Sequence, residues 1–142
     1  LTAEKSRYDI LSLKNNYELA KLYLDLTSLP SNTARYMSAY SSLITAEYNY
    51  KNNKDLILLA VKSSYNNITT AKNDLDIAQT NYNIKKSMHK ITELKTEMGM
   101  VTNAELSASI NELAQAEIEL ENAKLTYKLA VEKYKYEISI GL

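Results

Sequence analysis

Apolar residues recur at helical intervals along nearly the whole chain. Ile10, Leu13, Tyr17, Ala20 and Leu24 follow the three- and four-residue spacing of one helix face, and predict a helix over about 2–28. The stretch Ser28-Leu29-Pro30-Ser31-Asn32 ends it. Pro30 disfavours a helical conformation at Leu29 and has no N–H to donate into a continuing helix. A second helix is predicted from about 33 to 97. Its weakest point is Lys51-Asn52-Asn53-Lys54, where Asn53 is able to cap a new helix. The pattern there admits a kink near 52–53 or one very long helix. A third helix follows over about 103–139.

The two later helices carry more apolar surface than one seam requires. In the second, Val61, Ile68, Leu75, Tyr82 and His89 recur every seven residues, while Ile77, Ile84, Ile91 and Met98 form another stripe of the same period. Residues two apart, such as Leu75 and Ile77, point about 200° apart around a helix. In the third, Leu106, Leu113, Leu120, Tyr127 and Tyr134 make one stripe, and Ile118, Leu125, Leu129 and Tyr136 lie off that line. Ala104, Ala108, Ala114, Ala116, Ala123 and Ala130 are small enough for close helix approach. A two-stranded coiled coil needs one seam. Two seams suit a helix packed between two neighbours.

The turn between these helices is the best-specified local feature. Gly99 follows a helical run, as a left-handed residue just past a helix end does. Thr102 and Glu105 then make the Thr-x-x-Glu spacing of a capping box. A stop and a start this close fold the two helices back antiparallel. The fold class expected is all-α: a long antiparallel coiled-coil helix hairpin plus one additional N-terminal helix, in a single elongated domain. Met98, Gly99, Met100, Val101 and Thr102 form its tip, with apolar side chains where solvent is expected.

Composition sharpens this picture. Among 142 residues there are two glycines and one proline, so sharp turns are few and the elements must be long. Formal net charge is zero, with Lys interleaved among Glu and Asp, which disfavours nucleic acid and anionic membranes as partners. Cysteine is absent, and the run Leu56 to Val61 is far too short for a transmembrane segment. No signal peptide is visible. The chain begins at Leu1 inside a helical pattern, as a processed chain or a fragment of a larger protein would.

Chemistry-bearing constellations are missing. His89, the sole histidine, continues an apolar stripe and has no Cys or second His beside it, so it reads as a hydrogen-bonded interface position rather than a ligand. Asp74 and Asp76 lie on opposite sides of a helix and cannot act together. Neither a catalytic triad, a phosphate loop nor a zinc signature occurs, so no enzyme, cofactor or metal site is expected. The twelve tyrosines read as packing and interface residues. A plain helix hairpin would also need Gly99 and a Thr102 cap, with methionines filling gaps, and adaptable Met side chains suit that reading as well as partner docking.

There is a faint internal repeat. Ile10, Lys14, Tyr17, Leu19 and Ala20 align with Leu120, Lys124, Tyr127, Leu129 and Ala130, and both stretches run into a helix end, at Leu29-Pro30 and Ile140-Gly141. The stretch over about 2–28 therefore looks like the closing part of an earlier copy of the hairpin.

The turn Met98-Gly99-Met100-Val101-Thr102-Asn103-Ala104-Glu105, the helix with Leu113, Ala114, Ala116, Leu120, Ala123, Tyr127 and Ala130, and the close at Ile138 to Gly141 resemble the TolC-like outer-membrane efflux proteins. The similarity is good over 84–142 and weak over 1–53. The resemblance implies a homo-oligomeric cylinder of helices serving as a conduit in an export or efflux assembly. It places the chain in the cell envelope, outside the cytoplasm. Met98, Gly99, Met100, Val101 and Thr102 would dock the hairpin of an adaptor (membrane fusion) protein. The amphipathic strands of that family's barrel are not found in this sequence. A structural coiled-coil protein of the envelope or spore is the alternative. An adaptor hairpin ranks lower, because its Arg-Leu-Ser tip signature has no counterpart: Arg7 and Arg35 lie far from Gly99.

Overall fold

The computed structural model describes residues 7–28 and 30–139. These residues form an all-α fold with helices α1 (Tyr8–Asp25), α2 (Ala34–Glu97) and α3 (Asn103–Ser139), and no strand among them. The expected helical positions 2–6, Leu29 and the close at Ile140-Gly141 lie outside the described residues.

Local chemistry sets the boundaries. α1 closes at Asp25, earlier than the periodicity suggests, because the Thr27 amide bonds Leu24 O at 3.0 Å and the Thr27 hydroxyl bonds Tyr23 O at 2.7 Å. Thr33 caps α2: its Oγ1 accepts from the Tyr36 amide at 3.3 Å, and Met37 N donates to Thr33 O at 3.0 Å. At 52–53 the helix is continuous. Asn53 does not cap a new helix; its Nδ2 donates to Asn49 O at 2.8 Å, one turn back. The hydroxyls of Thr45, Thr80, Ser87, Thr92 and Thr126 do the same to the carbonyl four residues before. These residue types compete with helices when their side chains bond the backbone elsewhere. Here that capacity is directed onto the helix's own carbonyls.

The chain forms two compact units, one of residues up to Tyr65 together with those from Lys133 on, the other of Asn66–Glu132. In the first unit all three helices contribute. Ile10 is 2% exposed, and Ala39 is buried as well. The buried Arg7 guanidinium donates Nε and Nη2 to the Asp9 carboxylate at 3.0 and 2.6 Å, and Nη1 to the Glu137 carbonyl at 2.9 Å. That carbonyl belongs to the last turn of α3, where helical partners run out. The Glu137 carboxylate is buried beneath the Ser64 hydroxyl, which donates to it, with Lys133 Nζ at 3.8 Å. Arg7 hydrogen bonding holds the Asp9 carboxyl below its ordinary value. Tyr17 stacks on Tyr50 with ring centroids 6.0 Å apart, and Tyr65 meets Tyr134 at 5.9 Å.

In the second unit α2 and α3 pair in opposite order: Lys85 reaches Glu112, and His89 reaches Ser109. The core is thin. Ala71, Ala116 and Leu120 are its buried apolar residues, while Ile68, Leu75, Leu106 and Leu113 are half-buried. Of the α3 alanines singled out above, Ala116 is buried, Ala123 and Ala130 are half-buried, and Ala104, Ala108 and Ala114 face solvent. The faint repeat has a structural echo. Ile10 and Leu120 are both buried, Tyr17 and Tyr127 both half-buried, and Leu19 and Leu129 both well exposed.

Leu120→Ala should lower the unfolding free energy by about 2–4 kcal/mol through lost burial and a residual cavity. Ile118→Ala, at an exposed position, should cost less than about 1 kcal/mol. Urea unfolding of the two variants in dilute solution checks the contrast.

Candidate functional site

The candidate site is the reversal between α2 and α3, within the second unit. α2 ends in a Schellman motif: the Gly99 amide donates to Thr96 O at 2.9 Å and the Met100 amide to Lys95 O at 2.8 Å. Gly99 sits at φ +70°, in the left-handed region. A Cβ built there would meet nothing within 4 Å, so conformation rather than crowding calls for glycine.

Two residues further on the next helix starts. The Thr102 amide and hydroxyl both donate to Glu105 Oε2, at 2.7 and 2.9 Å, and the Glu105 amide donates to Thr102 Oγ1 at 3.2 Å. Leu106 N donates to Thr102 O at 3.1 Å. This is the capping box that the Thr-x-x-Glu spacing predicts. The bonds from the Thr102 amide and hydroxyl, with the Lys95 charge adding to them, hold the Glu105 carboxyl below the usual 4.5.

The five tip residues thus divide by role. Gly99 and Thr102 shape the backbone, and the Met98 amide still donates to Leu94 O at 3.2 Å, closing the last turn of α2. Val101 is half-buried. The side chains of Met98 and Met100 are 62% and 69% exposed. A backbone held by its own hydrogen bonds therefore presents two large, adaptable apolar side chains to solvent. Behind the tip, the stripe Ile77, Ile84, Ile91 on α2 is exposed, as are Ile118, Leu125 and Leu129 on α3. The other heptad line, Ile68, Leu75, Tyr82 and His89 on α2 with Leu106, Leu113, Leu120 and Tyr127 on α3, is half-buried or buried. The sequence reading did not identify the polar links behind the turn, Lys85–Glu112 at 2.8 Å and His89–Ser109 at 2.9 Å. Their residues are 27 and 20 apart, and only the register of the turn brings them together.

Among the described residues no helix is long and apolar enough to cross a membrane.

Gly99→Ala should destabilise the chain by about 1–2 kcal/mol, the cost of a left-handed Cβ, with no steric clash; thermal unfolding reads it. The capping box should also be acid-sensitive. Because the Glu105 carboxyl titrates lower in the folded chain than in an unfolded one, its contribution is present above the unfolded value and lost as pH falls through the folded value. Amide exchange at Thr102 should therefore rise, relative to intrinsic rates, only once pH has fallen below the usual 4.5, whereas in Glu105→Ala it should be fast throughout. Comparisons with protein-family models, characterised proteins and solved structures give no match.

Proposed function

We propose that this chain is a helical, non-catalytic component of an export or efflux assembly in the cell envelope, and that its hairpin tip docks an adaptor protein. The observation that carries this reading is the pairing of a hydrogen-bonded turn with the exposed Met98 and Met100 side chains. A turn needed only to reverse the chain gains nothing from two exposed methionines. On a docking surface they supply apolar area that adapts to a partner's shape. The second apolar stripes add support. Ile77, Ile84 and Ile91 at seven-residue intervals, with Ile118, Leu125 and Leu129 at intervals of seven and four, offer a neighbouring helix apolar stripes that pairing within this chain leaves uncovered. In this reading, neighbouring copies of the chain cover those stripes. The resemblance of the tip sequence to TolC-like proteins points the same way. The chain works by shape and contact.

Met100→Asp places a charge in the docking surface and leaves the Schellman and capping bonds intact. Gly99→Pro removes the amide that bonds Thr96 and cannot adopt φ +70°. Both variants should abolish export in cells while far-UV circular dichroism stays helical. Normal export by Met100→Asp would sink the proposal. Tolerance at the tip together with loss of function on polar substitution of Leu106 or Leu113 would favour the structural coiled-coil alternative.

A further inference from the structure

His89 occupies a heptad position otherwise filled by Val61, Ile68, Leu75 and Tyr82. Its side chain is 16% exposed, in a cleft of about 280 Å³ behind the turn. Nδ1 lies 2.9 Å from Ser109 Oγ on α3, and Nε2 lies 3.3 Å from Glu93 Oε1 one turn along α2. The Ser109 hydroxyl donates to Leu106 O at 2.8 Å. A hydroxyl has one proton. With that proton on Leu106 O, Ser109 Oγ can only accept from the ring, so Nδ1 carries a hydrogen. Nε2 faces the Glu93 carboxylate at ion-pair distance, where a protonated, positive ring is favoured by charge. All three contacts are satisfied together when the ring is an imidazolium.

The other charges around it are committed elsewhere. On α2, Lys85 pairs with Glu112 of α3, and Lys86 lies over the Tyr82 ring at 5.8 Å. Glu105 of α3 is held in the capping box, with the Lys95 charge acting on it. Glu93 is the carboxylate that meets the ring.

We propose that His89 is a proton-operated clamp joining α2 to α3 behind the tip. With the proton bound, one N–H crosses to Ser109 and the positive ring pairs by charge with the Glu93 carboxylate. When the ring loses a proton to solvent, one N–H remains. If it stays on Nε2, the Ser109 hydroxyl must turn from Leu106 O to donate to Nδ1. If it stays on Nδ1, a bare nitrogen lone pair faces the Glu93 carboxylate. Either way a charge-assisted set becomes a weaker neutral one. The clamp concerns how firmly the helices behind the turn are held, and it does not require the tip to dock anything.

The test is amide hydrogen exchange across 105–112 in the full chain at pH 5.5 and pH 8, corrected for intrinsic rates. Nitrogen NMR shifts of the single histidine report its protonation alongside. Replacing a charged by a neutral hydrogen bond predicts protection about five-fold higher at the lower pH. His89→Gln, which keeps a polar side chain of similar length, should show the same protection at both. Ser109→Ala should do likewise, with its helix intact. A wild-type ratio of one or below overturns the clamp, as does either variant keeping the wild-type ratio.

Discussion

The left-handed residue at Gly99 is the constraint on which the second unit depends. Here the left-handed residue ends the helix, and the bonds from Gly99 and Met100 back to Thr96 and Lys95 fix where α2 stops. The Thr102–Glu105 capping box fixes where α3 begins. With stop and start both specified, the register of the pair follows. His89 and Ser109 lie equally far from Gly99, and Lys85 meets Glu112 about one turn further on. A one-residue slip of either helix would turn it by about 100° relative to its partner. Leu106, Leu113 and Leu120 would then rotate away from α2 and the exposed stripe toward it. The hydrogen bonds of a short turn thus decide which apolar stripe is sheltered.

A thin core accompanies this arrangement. Side chains as small as those of Ala71 and Ala116 are among the few buried in the second unit. Stability must therefore draw heavily on helical hydrogen bonding along α2 and α3. The sequence is rich in Asn, Ser and Thr, which are poor helix formers because their side chains offer the backbone other partners. Asn53 and the hydroxyls of Thr45, Thr80, Ser87, Thr92 and Thr126 bond instead to the carbonyl four residues before. In the first unit the work is done by a polar cluster: Arg7 satisfies an end-of-helix carbonyl of α3 while Asp9 neutralises it.

The features legible in the sequence are those whose physics is local. Gly99, Thr102 and Glu105 act within a few residues, so their spacing alone announced the turn. Periodicity marked two apolar stripes on each helix, through Leu75 and Ile77 and through Leu106 and Ile118, without telling which of them is sheltered. Three features were not legible. Asn52-Asn53 was ambiguous because a side chain that caps a helix start also bonds back to a helix carbonyl. Arg7 and Glu137 are 130 positions apart, and no local pattern announces their contact. His89 was readable as an interface residue, but its pairing with Ser109 depends on the register and on where a hydroxyl proton goes.

The second apolar stripe has no local cause. Pairing of α2 with α3 is served by one line on each helix, and those lines are the sheltered ones. Ile77, Ile84 and Ile91 keep a strict seven-residue interval while facing solvent. Scattered surface isoleucines would need no explanation. A periodic row on a helix already packed on its other side is the surface that the neighbouring copy of the proposed assembly would cover. That row leads along α2 to Met98, where the turn presents its exposed methionines. The apolar surface is therefore continuous in kind from the helix flank to the tip. That continuity is why docking and assembly belong to one proposal: a neighbour seated along the flank would help to set the frame in which the tip meets its partner.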